Sequence, residues 1–177
     1  MKALVVYGTK GGATKEIADE IGKVLGDHGF AATVVNAGES HGVDIGPYDL
    51  VVVGSSVYMG SWNGKAMGFL KKNQKTLAGK KVAIFSSGLA GSDPAQKGAC
   101  SESLAKVAAK VPAIKPVELA YFGGLIRFDG PGLMGKIFGG AMKKDYEKKG
   151  VDTSKPVDLR DWDAIRKWAA DVAAKAK

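Results

Sequence analysis

The sequence predicts an α/β fold, a parallel sheet with helices on both faces. Three observations predict it. Short apolar runs recur at residues 3–7, 32–35, 50–53, 82–85 and 117–121. Amphipathic helical patterns alternate with them. The first run also leads straight through a glycine- and threonine-rich turn into a helix, the start of a βαβ unit.

The elements follow in order. Residues 3–7 form an unbroken apolar run, the mark of a strand buried on both faces. Ile17, Ile21, Val24 and Leu25 then lie on one face of a helix over 13–25. The second strand, 32–35, ends in Asn36 and Ala37, and the glycine-rich stretch 37–48 leaves room for a turn or two of helix or none. The third strand is 50–53. Trp62, Ala66, Phe69 and Leu70 mark a helix after it, and Trp62 fits that apolar stripe. The fourth strand is 82–85, followed by a helix with Leu104, Val107, Ala108 and Val111 inward. After the fifth strand, 117–121, a long segment at 123–150 precedes the last helix. There Leu133, Met134, Ile137, Phe138, Ala141 and Met142 recur at helical spacing beside Lys136, Lys143, Lys144, Lys148 and Lys149. Gly135, Gly139 and Gly140 weaken the helix. A long connection of this kind suits a lid or binding loop, and a basic amphipathic one suits a membrane surface or simple packing on the domain. The last helix carries Trp162, Ile165, Ala169 and Val172 inward. Asp158, Asp161 and Asp163 in its first turn and Lys175 in its last match the helix dipole.

The 177 residues are read as one domain, 1–177, long enough to bury a sizeable core. The composition, 45% hydrophobic and 25% charged, is that of an ordinary globular protein. A single cysteine, Cys100, excludes an internal disulfide and suits a reducing compartment. The chain enters a strand at once and no apolar run reaches the roughly 20 residues of a membrane span, so a cytoplasmic location is expected, with peripheral contact at the inner face of the membrane. The net charge of +8 favours anionic partners. Between Leu50 and Ser92 there is no acid, while Lys65, Lys71, Lys72, Lys75, Lys80 and Lys81 crowd the same stretch. This is either a solvated helix face or a docking patch for a redox partner, an anionic substrate or an anionic lipid surface. No nucleic-acid module is present in the sequence.

The turn after the first strand carries the most chemistry. Its backbone N–H groups at a helix N-terminus, with the hydroxyls of Thr9 and Thr14 and no acid, make a seat for a phosphate. A triphosphate loop needs Gly-x-x-x-x-Gly-Lys-Ser/Thr, but Ala13 and Thr14 occupy the second glycine and lysine slots. The dinucleotide fingerprint fails because the glycines fall at 8, 11 and 12 and no acid ends the second strand. A phosphatase would need a cysteine here, and Cys100 is far along the chain. A phosphoacceptor domain would need acids where Gly8, Thr9, Lys10, Gly54, Ser55 and Ser56 stand.

What remains resembles the flavodoxin phosphate loop. That signature runs aliphatic, aliphatic, aromatic, any, Ser/Thr, two of any, small, any, Thr, three of any, Ala, two of any, aliphatic. Val5, Val6, Tyr7, Thr9, Gly12, Thr14, Ala18 and Ile21 fill every constrained slot. The resemblance implies a flavodoxin-like, doubly wound five-stranded parallel sheet of order 2-1-3-4-5, with the 123–150 insertion before the last helix, and FMN as cofactor. Three loops then hold it beyond the carboxyl ends of the strands. Thr9, Lys10, Gly11, Gly12, Ala13 and Thr14 would take the phosphate. Ser55, Ser56, Val57, Tyr58, Met59 and Gly60, and then Ser86, Ser87, Gly88, Leu89, Ala90 and Gly91, would flank the ring. Tyr58 is the stacking candidate, and a backbone carbonyl near Met59 or Gly60 would face the flavin N5–H. His28 and His41 read as surface or capping residues and Cys100 as structural. No catalytic nucleophile and no metal cluster is legible, so the flavin would carry the chemistry.

The second half resembles the menaquinone-dependent protoporphyrinogen oxidase branch of flavodoxin-domain proteins. The residues concerned are 121–127, the basic insertion, Asp152, Thr153, Ser154, Asp161 and Trp162, with Ser55 or Ser56 through Gly60. The stretch 127–140 holds one arginine and two aromatics, fewer than that branch's insertion. Three functions are set by these residues. The first is an FMN oxidoreductase passing electrons to a quinone, the second a small electron carrier docking through its lysine face, and the third a non-redox binding module. With no acid in the second and third loops before Asp93, bound flavin is expected to have a less negative reduction potential than in an acidic flavodoxin.

Overall fold

Alternate residues of the first strand face opposite hydrophobic layers, and that pattern organises the molecule. The computed structural model describes residues 1–128 and 132–177, with the backbone alone for 132–139. The strands are β1 (Lys2–Gly8), β2 (Ala31–Asn36), β3 (Leu50–Tyr58), β4 (Ser61–Trp62), β5 (Lys81–Ser87), β6 (Glu118–Phe122), β7 (Leu125–Ile126) and β8 (Val157–Asp158). The helices are α1 (Ala13–Asp27), α2 (Gly64–Lys72), α3 (Gln74–Leu77), α4 (Lys97–Ala109), α5 (Gly132–Lys148) and α6 (Trp162–Ala176). The sheet order is β2-β1-β3-β5-β6, all parallel, which is 2-1-3-4-5 among the five main strands. The expected fold class is therefore the observed one.

Ala3, Val5 and Tyr7 of β1 join Ile17, Ile21 and Leu25 of α1 and Ile165, Trp168 and Val172 of α6 in one core. Leu4 and Val6 join Ala66, Phe69 and Leu70 of α2 and Val107 of α4 in the other. Phe85, Phe122 and Trp168 anchor the first core as a triangle of tilted and edge-on rings, 5.5–6.1 Å apart. Of the two expected outcomes between β2 and β3, a short helix or none, the structure has none.

Several boundaries differ from expectation. The third strand does not stop at Val53; it runs to Tyr58, and β5 runs to Ser87. Gly54, Ser55 and Ser56 break the apolar run but pair with Phe85, Ser86 and Ser87. The Phe85 ring lies over Gly54 so closely that a Cβ there would stand 1.9 Å from Cζ. Trp62 belongs to β4, antiparallel to the end of β3, and not to the following helix, which Asn63 caps through Lys65 N–H. Val111 lies beyond the end of α4, although it is buried in the core.

The segment 123–150 is organised. β7 pairs with β8 as an antiparallel ribbon, and α5 spans Gly132–Lys148 despite its glycines. The stripe expected over Leu133, Met134, Ile137 and Phe138, with Lys136, lies on side chains outside the described residues. Farther on, Phe128 meets Tyr146 edge-on at 5.8 Å, and Thr153 donates to Glu147. Asp158 stands in β8, outside the first turn of α6; Asp161 caps that helix by accepting from Ala164 N–H.

Candidate functional site

Three connections meet beyond the carboxyl ends of β1, β3 and β5. The first runs from Gly8 into α1. Gly8 is packed so tightly that a Cβ would lie 2.8 Å from that of Ala66. The exposed Lys10 and Gly11 form the outer rim. Gly12 takes the left-handed conformation, φ 91°, with open space around it, and its N–H donates to Thr9 Oγ1 at 3.0 Å. Its carbonyl already accepts from Lys15 and Glu16. The N–H groups of Ala13 and Thr14, in the first turn, have no intrahelical partner. These two, with the remaining hydroxyl hydrogen of Thr9, are the donors for an anion. The Thr14 hydroxyl, expected to be a further donor, is buried 2.9 Å from Ser87 Oγ, and either hydroxyl can be the donor of that bond.

The second connection is a hairpin. Tyr58 pairs with Ser61, and the two residues between them, Met59 and Gly60, both have positive φ, 49° and 72°. This is the geometry of a two-residue hairpin turn whose backbone twist matches the strands. Ser55 is fully buried; its hydroxyl donates to Ser56 O and accepts from Asn63 N–H. Asn63 Nδ2 reaches Thr9 O at 3.4 Å, tying the hairpin to the first loop. Lys10 Nζ lies 4.4 Å from the centre of the Tyr58 ring, a cation–π contact between the same two loops. Val57 is half-buried, Tyr58 half-exposed and Met59 almost wholly exposed. Trp62 packs beside α2 and donates from Nε1 to Ser86 Oγ at 2.8 Å.

The third connection starts at Ser86 and Ser87, both buried at the end of β5. Gly88 is extended and its N–H donates to Phe122 O. A Cβ at Gly88 would stand 3.0 Å from the Tyr121 hydroxyl and 3.4 Å from Val57 O, so this strand end runs close beside β3. Leu89, Ala90, Gly91 and Ser92 then form a short 3-10 turn. A Cβ at Gly91 would strike Phe122 O at 2.2 Å.

Arg160 is the residue that sequence reading missed. Its side chain is only 4% exposed. It bonds Asp158 through Nε and Nη2, each at 2.7 Å, and Glu16 through Nη1 at 2.7 Å, and it reaches Ala13 O at 3.3 Å. The guanidinium also stacks 4.5 Å from the Trp162 ring centre. The Arg160 bonds hold the Asp158 carboxyl below its ordinary value. Burial pulls Arg160 down, but its bonds to Asp158 and Glu16 outweigh that and raise it. No local motif announces this clamp, because its partners are 144 and 147 positions apart from it at Glu16 and Ala13 and only two at Asp158. Cys100 is buried, and burial, with Asp93 second, pushes its thiol up, away from reactivity. Burial likewise pushes the neighbouring Tyr121 up to about 12. His28 caps α1 through Nδ1 and Val24 O, and His41 is exposed. Among the described residues no group of acids, histidines and cysteine could hold a metal.

The residues fit a monophosphate joined to a flat ring. The seat offers helix N–H donors and no acid. The large exposed hydrophobics of the described residues are Met1, Tyr58, Met59, Leu89 and Leu119, and the three central ones stand on the second and third loops. The sequence matches the model of the flavodoxin domain over residues 4–152. The chain belongs to the flavodoxin-domain family. Among relatives of this flavodoxin-domain chain is a protein named protoporphyrinogen IX dehydrogenase (quinone) from Escherichia coli strain K12. It is 26% identical over 98% of this chain and 95% of its own. A protein of the same name from Leishmania major is 23% identical over 98% of this chain and 75% of its own. Two solved flavodoxins share the fold. One from Archaea has a TM-score of 0.56, 18% identity and 99% coverage of both chains. One from Pseudomonas aeruginosa has a TM-score of 0.61 and 14% identity, covering 99% of this chain and 98% of the other. No described helix is long and apolar enough to cross a membrane.

Proposed function

We propose that this flavodoxin-domain protein is an FMN-dependent oxidoreductase that oxidises a porphyrinogen-class donor and passes the electrons to a quinone. The observation that carries it is the acid-free anion seat bordered by exposed Tyr58, Met59 and Leu89. FMN, when bound, supplies the electron and hydride chemistry. The chain supplies the rest. The N–H groups of Ala13 and Thr14 and the Thr9 hydroxyl hold the phosphate, and Lys10 adds positive charge at the rim. Tyr58 offers a ring face. The Met59–Gly60 turn offers backbone carbonyls to ring N–H donors. The full-length likeness to two protoporphyrinogen IX dehydrogenases supports the donor and acceptor classes. Only one arginine and two aromatics lie in 127–140, which favours, as a second reading, an electron carrier without a substrate pocket. Location at the inner face of a membrane follows from the quinone acceptor in the first reading.

The test is sequential. The purified chain is mixed with FMN and separated from free cofactor; a colourless product overturns both readings. The loaded protein is then given protoporphyrinogen under anaerobic conditions, and a quinone is added. Bleaching followed by recovery of colour is expected. No bleaching by the donor, with normal reduction by dithionite, leaves the carrier reading. The loops up to Ser92 hold no carboxylate, and Glu16 and Asp158 are bound by Arg160. Negative charge on the reduced ring is therefore not opposed, and a redox titration should give a couple for full reduction less negative than that of a flavodoxin with acidic site loops. An equally negative or more negative couple refutes that electrostatic argument.

A further inference from the structure

The helices covering the two faces of the sheet differ in charge. On the α1 and α6 side acids and bases are mixed and paired, as in Lys15–Asp19, Glu20–Arg166 and Lys167–Asp171. On the other side α2 and α3 carry Lys65, Lys71, Lys72 and Lys75 and no acid. Between α2 and α4 this basic face is not convex. It holds a cleft of about 340 Å³ lined by Ser61, Trp62, Met67, Lys71, Lys106 and Lys110. Val107, at its base, is buried in the core, and Trp62 and Met67 are half-buried against the same core. Lys106 bonds the exposed Glu102, its neighbour on α4, and Lys71 and Lys110 bond no carboxylate among the described residues. An apolar floor between three cations, two of them without a carboxylate partner among the described residues, suits a ligand that is acidic at its edges and apolar at its centre.

We propose that this cleft is the docking site of an acidic protein partner, which seats an apolar side chain on Trp62 and Met67 between carboxylates facing Lys71, Lys106 and Lys110. The concavity selects the occupant. A bilayer is flat and would meet the ridge of α2 but not cations converging within a groove. One rim of the cleft is Gly60 and Ser61, part of the same hairpin whose Tyr58 and Met59 border the candidate cofactor site. A protein seated here is brought against that site. That this partner exchanges electrons rests on the FMN reading; that it binds does not. Lys65 and Lys72 lie on the far flank of α2, beside a separate cleft that includes His41, and serve long-range attraction instead of contact.

The probe is a fluorescent peptide of about ten residues, glutamates around a central leucine and phenylalanine, with an all-glutamate peptide as its partner in the comparison. Binding to the full chain is followed by anisotropy with and without FMN. K71E/K110E reverses two exposed charges in the cleft, and K23E/K167E makes the same net change on the opposite layer. The first should lose about tenfold or more in affinity and the second about twofold or less, because short-range pairs outlast screening by salt while net charge does not. Met67→Ala should weaken the apolar peptide alone. Equal losses in the two charge variants, or equal binding of the two peptides, overturn the proposal. So does a larger loss of binding to phosphatidylglycerol vesicles than to peptide in K71E/K110E. Binding that persists in a chain unable to take up FMN supports the docking site while removing the redox reading.

Discussion

Replacing Arg160 tests whether one long-range clamp holds the phosphate seat. Arg160→Met keeps most of the buried stem and removes the guanidinium. Full burial of an ion pair would make the loss several kcal/mol, because the remaining charge would be stranded. Here the carboxylates of Asp158 and Glu16 are 39% and 48% exposed and rehydrate once released, so only the arginine is deeply buried. Each ion pair is then worth about 0.5 kcal/mol. The stacking on Trp162 adds about 0.5–1 kcal/mol. The bond to Ala13 O, long at 3.3 Å, adds about 0.5 kcal/mol. The expected destabilisation is about 2 kcal/mol, or a fall of about 4–8 °C in Tm for a chain of this size. The pH dependence separates the clamp from mere packing. Asp158 has a depressed folded pKa, so its contribution is present above the unfolded value near 3.9 and is lost as pH falls through the folded one. The wild type should lose the Asp158 part of its advantage over Arg160→Met as the pH falls below the unfolded carboxylate value and through the lower folded one. Urea melts at pH 7 and pH 3 measure this, with amide exchange at residues 13–16 reporting the loop. An equal difference at both pH values, or unchanged exchange at Lys15 and Glu16, whose N–H groups bond Gly12 O, refutes the clamp.

Gly54→Ala should be severely destabilising, by about 3 kcal/mol, since the Phe85 ring occupies the Cβ position and cannot leave a packed core; a thermal melt within two degrees of wild type would contradict this. Met59→Asn should raise stability by about 0.5–1 kcal/mol, because Asn-Gly suits a turn with two positive φ angles better than Met-Gly does, and denaturant unfolding reads it directly. Gly12→Ala should cost about 1–2 kcal/mol and weaken FMN binding, while Gly11→Ala, equally open but without the left-handed backbone, should change little; calorimetry of FMN binding to the pair decides whether conformation or space matters.

The architecture was legible because its signals are local and periodic. β1, α1 and α6 could be placed from runs and stripes, since burial on both faces leaves an unbroken apolar run over residues 3–7 of β1 and a single inward face on each helix. The ends of β3 and β5 were not legible. There the strands continue through Gly54, Ser55, Ser56, Ser86 and Ser87, and what makes them strands is pairing with each other, with the Phe85 ring replacing a missing side chain. Trp62 misled for a related reason. Its spacing fits the stripe of α2, but Asn63 caps the helix after it and its indole is drawn to Ser86. Arg160 was beyond reach because a clamp across most of the chain leaves no periodic trace.

The hydroxyls explain why these misreadings fall together at the site. In sequence Thr9 and Thr14 read as hydroxyl donors for a phosphate, and Ser55, Ser86 and Ser87 as small residues flanking a ring. In the structure Thr9 accepts from Gly12, Thr14 meets Ser87, Ser55 bridges Ser56 and Asn63, and Ser86 accepts from Trp62. Buried polar groups must find partners, and here they find one another. Their bonds join the first turn of α1 to the end of β5, the end of β3 to the start of α2, and the hairpin to β5. The groups that remain exposed or unpartnered at these loops are of other kinds: N–H donors of the first turn of α1, a lysine over a tyrosine ring, and exposed Tyr58, Met59 and Leu89. Because Ser86 accepts from Trp62 of the hairpin, a conservative Ser86→Ala change should act on the hairpin first and on FMN binding, in the proposed reading, only through it.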